Sequence, residues 1–110
     1  MDPDVDYILP TEEQKDEIER LAALGYSLKE MALYLGMSFT SFKHDAETEG
    51  CVINHHIKRG KFTVKANAEI QLLASAEKGN ITAIQQLQKS LREREYQDLL
   101  LQLEESDKDD

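Results

Sequence analysis

Paired helix-start and helix-stop signals divide the first half of this chain into short segments. Thr11–Gln14 and Ser27–Glu30 both have the spacing of a capping box, in which the first and fourth side chains bond each other's backbone N–H groups. Gly25, Gly36 and Gly50 stand where the apolar spacing of each segment ends, and glycine readily adopts the left-handed conformation that terminates a helix. The spacing therefore predicts three short helices.

Longer apolar patterns follow in the second half. Two sets recur at helical spacing, one on each of two faces: Ile53, Ile57, Gly60, Val64 and Ala68, and then Phe62, Ala66, Ile70 and Leu73. Two apolar faces predict two neighbours, with the N-terminal helices on one side and the last helix or another subunit on the other. Gly79 then provides a stop, and Asn80 caps a final helix.

These patterns predict an all-α fold, with an N-terminal helix-turn-helix bundle followed by two longer antiparallel helices. The many Leu, Ala, Glu, Gln and Lys residues and the two prolines favour the same class. We divide the chain into an acidic flexible leader (residues 1–10), a helix-turn-helix domain (11–50), a helical hairpin (51–103) and a disordered acidic tail (104–110).

Composition limits the possible functions. The single cysteine, Cys51, has no partner for a disulfide within the chain, and it fits a reducing compartment. No apolar run approaches the roughly 20 residues needed to span a bilayer, so we expect a cytoplasmic protein without membrane association. No phosphate-binding loop, catalytic triad or metal-ligand spacing occurs, which predicts a protein that is not an enzyme and uses no cofactor or metal.

Charge is distributed unevenly along the chain. The net charge is −9, but residues 51–92 carry 7 basic and 2 acidic groups, whereas residues 1–50 carry 4 and 12. Exposed charges farther apart than the Debye length, about 8 Å at physiological salt, are largely screened from each other. A local basic surface can therefore bind an anion despite the acidic total.

The segment from Ser27 to Phe42 has the pattern of two short helices joined by a tight turn at Gly36. This is the geometry of a helix-turn-helix, which presents its second helix to the major groove of DNA, and plain α-helical bundles share it. With Ser38 as the cap of the second helix, the outward polar positions are Ser38, Thr40, Ser41, Lys43 and His44. Asp45 occupies a position where an apolar contact is expected, and Ala46 is placed to replace it.

A second basic surface is predicted on the helix that follows. His55, Lys58, Lys61 and Lys65 recur at intervals of three or four residues, and Arg59 lies beside them. One interpretation is a ridge that contacts DNA phosphates; the other is a solvated face that pairs with acidic groups of this or another subunit.

Several segments resemble the small subunit of a bacteriophage terminase. Residues 17–36 (EIERLAALGYSLKEMALYLG) are similar to the family's helix-turn-helix, residues 57–61 (IKRGK) to its next helix, and residues 73–87 (LASAEKGNITAIQQL) to the helix, Gly-Asn turn and helix after that. Together they cover about residues 12–92, and prophage regulators share the first part.

The resemblance implies a DNA-recognition subunit that binds viral double-stranded DNA for packaging and recruits the large ATPase/nuclease subunit. It implies DNA contacts at the five outward positions of the second helix and a homo-oligomer built through Ile84, Leu87 and Leu91. From the residues alone, a renewed apolar stripe at Tyr96, Leu99, Leu100 and Leu103 also indicates packing in an oligomer. On the role that the resemblance implies, the acidic tail is free to dock the large subunit.

Two other functions fit the same pattern. A helical protein-interaction adaptor would use the two apolar faces for assembly and never touch DNA. A dimeric prophage transcriptional regulator would form a two-fold oligomer and bind a palindromic site.

Overall fold

The chain folds as helices connected by short turns. The computed structural model describes residues 6–108, with side chains described as far as residue 105. Over that range the backbone forms no strand, and its helices are α1 (Glu12–Ala23), α2 (Leu28–Leu35), α3 (Phe39–Glu47), α4 (Val52–Glu77) and α5 (Ile81–Lys108). The predicted all-α class is confirmed. The residues form two compact units that divide between Ala66 and Asn67.

Both predicted capping boxes are present in the N-terminal unit. At the start of α1, the Thr11 hydroxyl accepts a hydrogen bond from the Gln14 N–H at 3.1 Å, and the Gln14 side chain accepts one from the Thr11 N–H at 2.9 Å. At the start of α2, Ser27 and Glu30 make the same exchange at 3.2 and 3.1 Å. Each box satisfies two backbone donors that a helix start leaves without helical partners.

A tight turn joins α2 to α3. Gly36 has a φ of +69°, in the left-handed region where a side chain would be strained, and the Met37 N–H donates to the Ala32 carbonyl at 2.9 Å. Ser38 is the N-cap residue of α3, as predicted, but its side chain makes no capping hydrogen bond. The direction of α3 therefore depends on Gly36 and on packing.

The core of the N-terminal unit draws on four helices. Its buried residues are Ile18 and Ala22 of α1, Met31 and Ala32 of α2, Phe42 and Ala46 of α3, and Ile53 and Ile57 of α4. Burying a large apolar side chain contributes about 1.5–3 kcal/mol. Because the first half of α4 supplies two of these residues, the N-terminal unit extends to Ala66, and it differs from the predicted domain boundary between residues 50 and 51.

Gly60 lets α4 lie directly against α1. A Cβ atom at this position would meet the backbone carbonyl oxygen and Cα of Glu19 at less than 3 Å. A side chain would therefore push the two helices apart, and it would move the exposed basic residues that α4 carries.

Part of the predicted leader is packed. Ile8 packs against the core, Pro10 is buried, and the Ile8 N–H donates to a carboxylate oxygen of Asp45 at 2.7 Å. The expectation of a solvated, flexible leader is therefore corrected for this part, because apolar residues and a buried acceptor hold it. Residues 1–5 of that leader lie outside the described range.

The C-terminal unit contains a helical hairpin. The turn at 78–80 joins the end of α4 to α5, and the Asn80 side chain accepts a hydrogen bond from the Ala83 N–H at 3.0 Å, as predicted for a cap. Arg94 donates to both carboxylate oxygens of Glu69 at 2.7 and 2.8 Å, which holds the arms antiparallel. Among the described side chains of this unit, Ala83 alone is buried.

The acidic end of the chain is helical. α5 continues to Lys108, so the prediction of a disordered tail over residues 104–110 is wrong as far as residue 108. Its final turns are rich in glutamate and leucine, which favour helix formation. Residues 109–110 lie outside the described range.

Candidate nucleic-acid interface

The outer side of α3 carries the residues predicted to contact DNA. All five predicted residues are exposed: Ser38, Thr40, Ser41, Lys43 and His44. The opposite side of the helix is anchored by Phe42, Asp45 and Ala46, which are buried. Hydroxyl, ammonium and imidazole groups can bond phosphates or base edges, so the exposed side has suitable chemistry for binding a nucleic acid.

His44 is held by two neighbours. Its Nδ1 lies 3.1 Å from an oxygen of Asp45, and its ring stacks on Tyr7 with the ring centroids 6.0 Å apart. The side chain still has 51% of its surface exposed. These contacts restrict the ring. Binding a ligand to His44 would therefore cost less conformational entropy than binding one to a freely rotating side chain.

Tyr7 is a residue that sequence reasoning missed. It lies in the segment predicted to be a solvated leader, and it reaches α3 because Ile8 is bonded to Asp45. A signal was available in the sequence, since Tyr7, Ile8 and Leu9 form an apolar triplet inside an otherwise acidic stretch.

Asp45 points into the protein. It is 2% exposed, and its carboxylate accepts from the Ile8 N–H while facing the His44 ring. Because it is buried, this carboxylate is not part of the exposed surface of α3 that would face a phosphate. Glu47 remains exposed one turn after Lys43 and His44, so α3 by itself is a weakly charged surface.

The basic face of α4 is formed by His55, Lys58, Arg59, Lys61 and Lys65, all exposed. Residues 51–68 contain no aspartate or glutamate, in a chain whose net charge is −9. Within the described side chains, Arg59 is the member of this face that approaches a carboxylate, at 3.8 Å from Glu19. The ammonium groups of Lys58, Lys61 and Lys65 are thus available to an anionic ligand.

Glu19 of α1 connects the two helices below this face. Its carboxylate lies 2.5 Å from Nδ1 of His56 and 3.8 Å from Arg59. The backbone of the same residue faces Gly60. These contacts set the position of α4 relative to α1 within the N-terminal unit, and the basic face is built on that support.

Two hollows open on the N-terminal unit. One, of about 540 Å³, lies at the start of α4, with Lys15, Glu49, His55 and Lys58 in its lining. The other, of about 620 Å³, lies between α1 and α2, and exposed apolar side chains line it: Leu24, Tyr26, Leu33 and Tyr34. The first hollow has both cationic and anionic groups in its lining, whereas the apolar lining of the second suits an apolar segment.

The predicted oligomerisation residues lie in the hairpin of the C-terminal unit. Ile84 and Leu87 are half-buried, and Leu91 is exposed. Farther along α5 the apolar stripe of Tyr96, Leu99, Leu100 and Leu103 is exposed over its whole length. An apolar stripe at helical spacing that faces solvent is typical of a helix that packs against another chain.

The described residues do not form a recognisable metal site. Among them, no group of three or more His, Cys, Asp or Glu side chains is placed to hold a metal ion. Burial raises the pKa of the Cys51 thiol, and the carboxylate of Asp45 raises it further, so the thiolate is disfavoured at neutral pH, unlike that of an activated nucleophile. No helix in the described part of the chain has the length and apolar content to cross a bilayer.

Comparisons with protein families, with curated proteins and with solved structures found no match to this chain. The functional inference therefore depends on the surfaces of α3 and α4.

Proposed function

We propose that this protein is a non-catalytic subunit that binds double-stranded DNA and assembles into a homo-oligomer. In this proposal α2 and α3 act as a helix-turn-helix, α3 contacts the major groove through its exposed polar side, and α4 contacts phosphates. The observation that carries it is the basic face of α4, which has no carboxylate over residues 51–68 of an acidic chain. Clustered positive charge without intervening negative charge is what phosphate binding requires.

The specific role that we propose is that of a phage terminase small subunit. Such a subunit recognises viral DNA in the host cytoplasm and recruits the large ATPase/nuclease subunit for packaging. The resemblance of residues 12–92 to that family supports this role. The acidic end of α5 is the segment that we assign to the large subunit.

The modest charge of α3 is compatible with this role because the protein would act in several copies. One such domain is expected to bind DNA non-specifically with a Kd of about 10⁻⁴ to 10⁻⁶ M at physiological salt. Copies linked in one assembly bind at high effective concentration and gain roughly 10²- to 10⁴-fold in affinity.

The salt dependence of duplex binding tests the proposal. We expect the logarithm of the association constant to fall linearly with the logarithm of the salt concentration, because phosphate contacts release counterions. Lys43→Gln and Lys58→Gln should each weaken binding and reduce the slope by about 0.9 if that lysine contacts one phosphate. Lys29→Gln, an exposed lysine on α2, is the matched control and should change neither quantity. Absence of binding at low salt would reject the proposal.

A second candidate function is a protein-interaction adaptor, and the apolar hollow between α1 and α2 favours it. Leu33 is 82% exposed in the lining of this hollow and adjoins other exposed apolar residues, and a contiguous exposed apolar surface is typical of a protein-interaction site. Leu33→Gln separates the two functions. It should abolish partner assembly if the hollow is the functional site, and it should leave duplex affinity unchanged if the DNA proposal is correct.

A further inference from the structure

Phe62 occupies the centre of the outer side of α4. At about 100° per residue, it lies on the side of the helix opposite Ile53, Ile57 and Gly60, which are buried. The Phe62 side chain is 69% exposed. The sequence pattern placed it on an apolar face that packs against a neighbour, but most of its surface is open to solvent.

Three of the four neighbours of Phe62 on the helix surface are cations, and the fourth is Ala66. Lys58 and Arg59 precede it by four and three residues, and Lys65 follows it by three, so all three flank the ring at one helical turn. All three side chains are exposed. An exposed aromatic ring surrounded by positive charge can contact a base with the ring while the cations bind the adjacent phosphates.

Charge complementarity favours a nucleic acid over another protein at this position. The exposed apolar stripe of α5, from Tyr96 to Leu103, lies among acidic and amide side chains. The sequence around Phe62, in contrast, has no carboxylate from residue 51 to residue 68. Aromatic rings stack on bases, and apolar side chains that enter a groove wedge between base steps. A fully paired and stacked duplex offers the ring no base face.

We propose that Phe62 stacks on an unstacked nucleobase, so that the protein prefers DNA with a locally opened or unpaired segment over a fully paired duplex. This inference rests on the proposed DNA-binding function. It assigns the phosphate contacts to the basic face and the recognition of the opened bases to Phe62.

The absence of tryptophan from the sequence permits a direct test. Phe62→Trp provides the full chain with a single tryptophan at the proposed stacking position, and Leu33→Trp provides one at another exposed apolar position, on α2. Titration with a duplex that contains a central unpaired segment should quench the fluorescence of the Phe62→Trp protein and leave that of the Leu33→Trp protein unchanged. Equal fluorescence of free and saturated Phe62→Trp protein would overturn the inference.

Affinity measurements provide a second readout. Phe62→Ala should lower affinity for the duplex with the unpaired segment by about 10-fold or more, since that is the usual contribution of one base stacked on an aromatic ring. Its affinity for the fully paired duplex should change much less. Phe62→Tyr, which keeps the ring, should retain the preference of the unsubstituted protein. Equal affinity of the unsubstituted protein for both duplexes would overturn the inference.

The same measurements distinguish a failure of the stacking inference from a failure of the proposed DNA-binding function. Salt-dependent binding to both duplexes that Phe62→Ala leaves unchanged would remove the stacking contact and keep the DNA-binding proposal. Absence of binding to either duplex at low salt would remove both. A lower solution mass of the Phe62→Ala protein would assign Phe62 to an interface between copies, and the stacking proposal would then be rejected.

Discussion

The carboxylate of Asp45 connects the N-terminal segment to α3 at the level of single residues. It is 2% exposed and accepts the backbone N–H of Ile8, while its other oxygen faces the His44 ring. A buried charge is tolerated when hydrogen bonds satisfy it. Through these two bonds the side chain holds Tyr7 and His44 where they stack, and His44 is one of the residues that we expect at the DNA surface.

Removal of this acceptor tests its role. We expect Asp45→Ala to lower the free energy of unfolding by about 1–3 kcal/mol, because the part-buried N–H of Ile8 loses its partner. Asp45→Asn keeps a carbonyl oxygen that can accept the same bond, so it should cost less. Urea unfolding followed by circular dichroism measures both values. An unfolding free energy of Asp45→Ala equal to that of the unsubstituted protein would show that the contact does not stabilise the fold.

At the level of elements, the helix starts are set by local hydrogen bonds. The backbone N–H and then the hydroxyl of Ser27 lower the pKa of Glu30 below its ordinary value. Since the pKa of the folded state is depressed, the contribution of the Glu30 carboxylate to stability is present at neutral pH, and it is lost as the pH falls through that lowered pKa. The start of α2 should therefore loosen in acid before the protein unfolds.

Ser27→Ala removes one side of this capping box. We expect the substitution to lower the free energy of unfolding by about 1 kcal/mol, because the Glu30 N–H loses its hydroxyl acceptor. We also expect it to raise the Glu30 pKa part of the way toward its ordinary value, because the hydroxyl no longer stabilises the carboxylate while the Ser27 backbone N–H still does. An NMR titration of the Glu30 carboxyl group and urea unfolding provide the two measurements. Thr11→Ala opens the equivalent box of α1 and is the control: it should destabilise the protein without changing the Glu30 pKa. If the Glu30 pKa of the Ser27→Ala protein equals that of the unsubstituted protein, the Ser27 hydroxyl does not stabilise the Glu30 carboxylate.

At the level of the whole molecule, the two units differ in how much apolar surface they bury. The N-terminal unit encloses a core contributed by four helices, whereas Ala83 alone is buried among the described side chains of the C-terminal unit. Units of about 40 residues usually need oligomerisation, a metal or disulfides to be stable. The exposed stripe from Tyr96 to Leu103 is the surface that a second copy would cover.

The solution mass tests assembly through this stripe. We expect a solution mass of at least two copies of the 12.6 kDa chain. Leu99→Gln and Leu103→Gln should lower this mass at the same protein concentration, because each inserts an amide into an apolar interface. Leu101 is also exposed but lies on another side of α5, so Leu101→Gln is the matched control. Light scattering or native mass spectrometry distinguishes the states. A monomer would exclude assembly, and a closed assembly of more than four copies would exclude the dimeric regulator.

Much of the candidate site could be predicted from the sequence. The exposed polar row of α3 and the basic row of α4 follow from helical periodicity, because the apolar positions define one side of each helix and the polar positions occupy the other. The first three residues of the predicted apolar face of α4, Ile53, Ile57 and Gly60, are buried for the same reason. The exposure of Phe62 was not predicted, since an apolar residue at helical spacing reads as a buried position whether or not a neighbour is present.

The sequence by itself determined where α1 and α2 begin and where the left-handed glycines end helices, because a capping box and a left-handed glycine are satisfied within a few residues of chain. Tertiary structure alone decided which way Asp45 points, that Ile8 is held, and that the first half of α4 belongs to the N-terminal core. The bonds from Ile8 to Asp45 and from Glu19 to His56 each join residues 37 positions apart. Such contacts form only when distant segments pack together, and local periodicity contains no information about that packing.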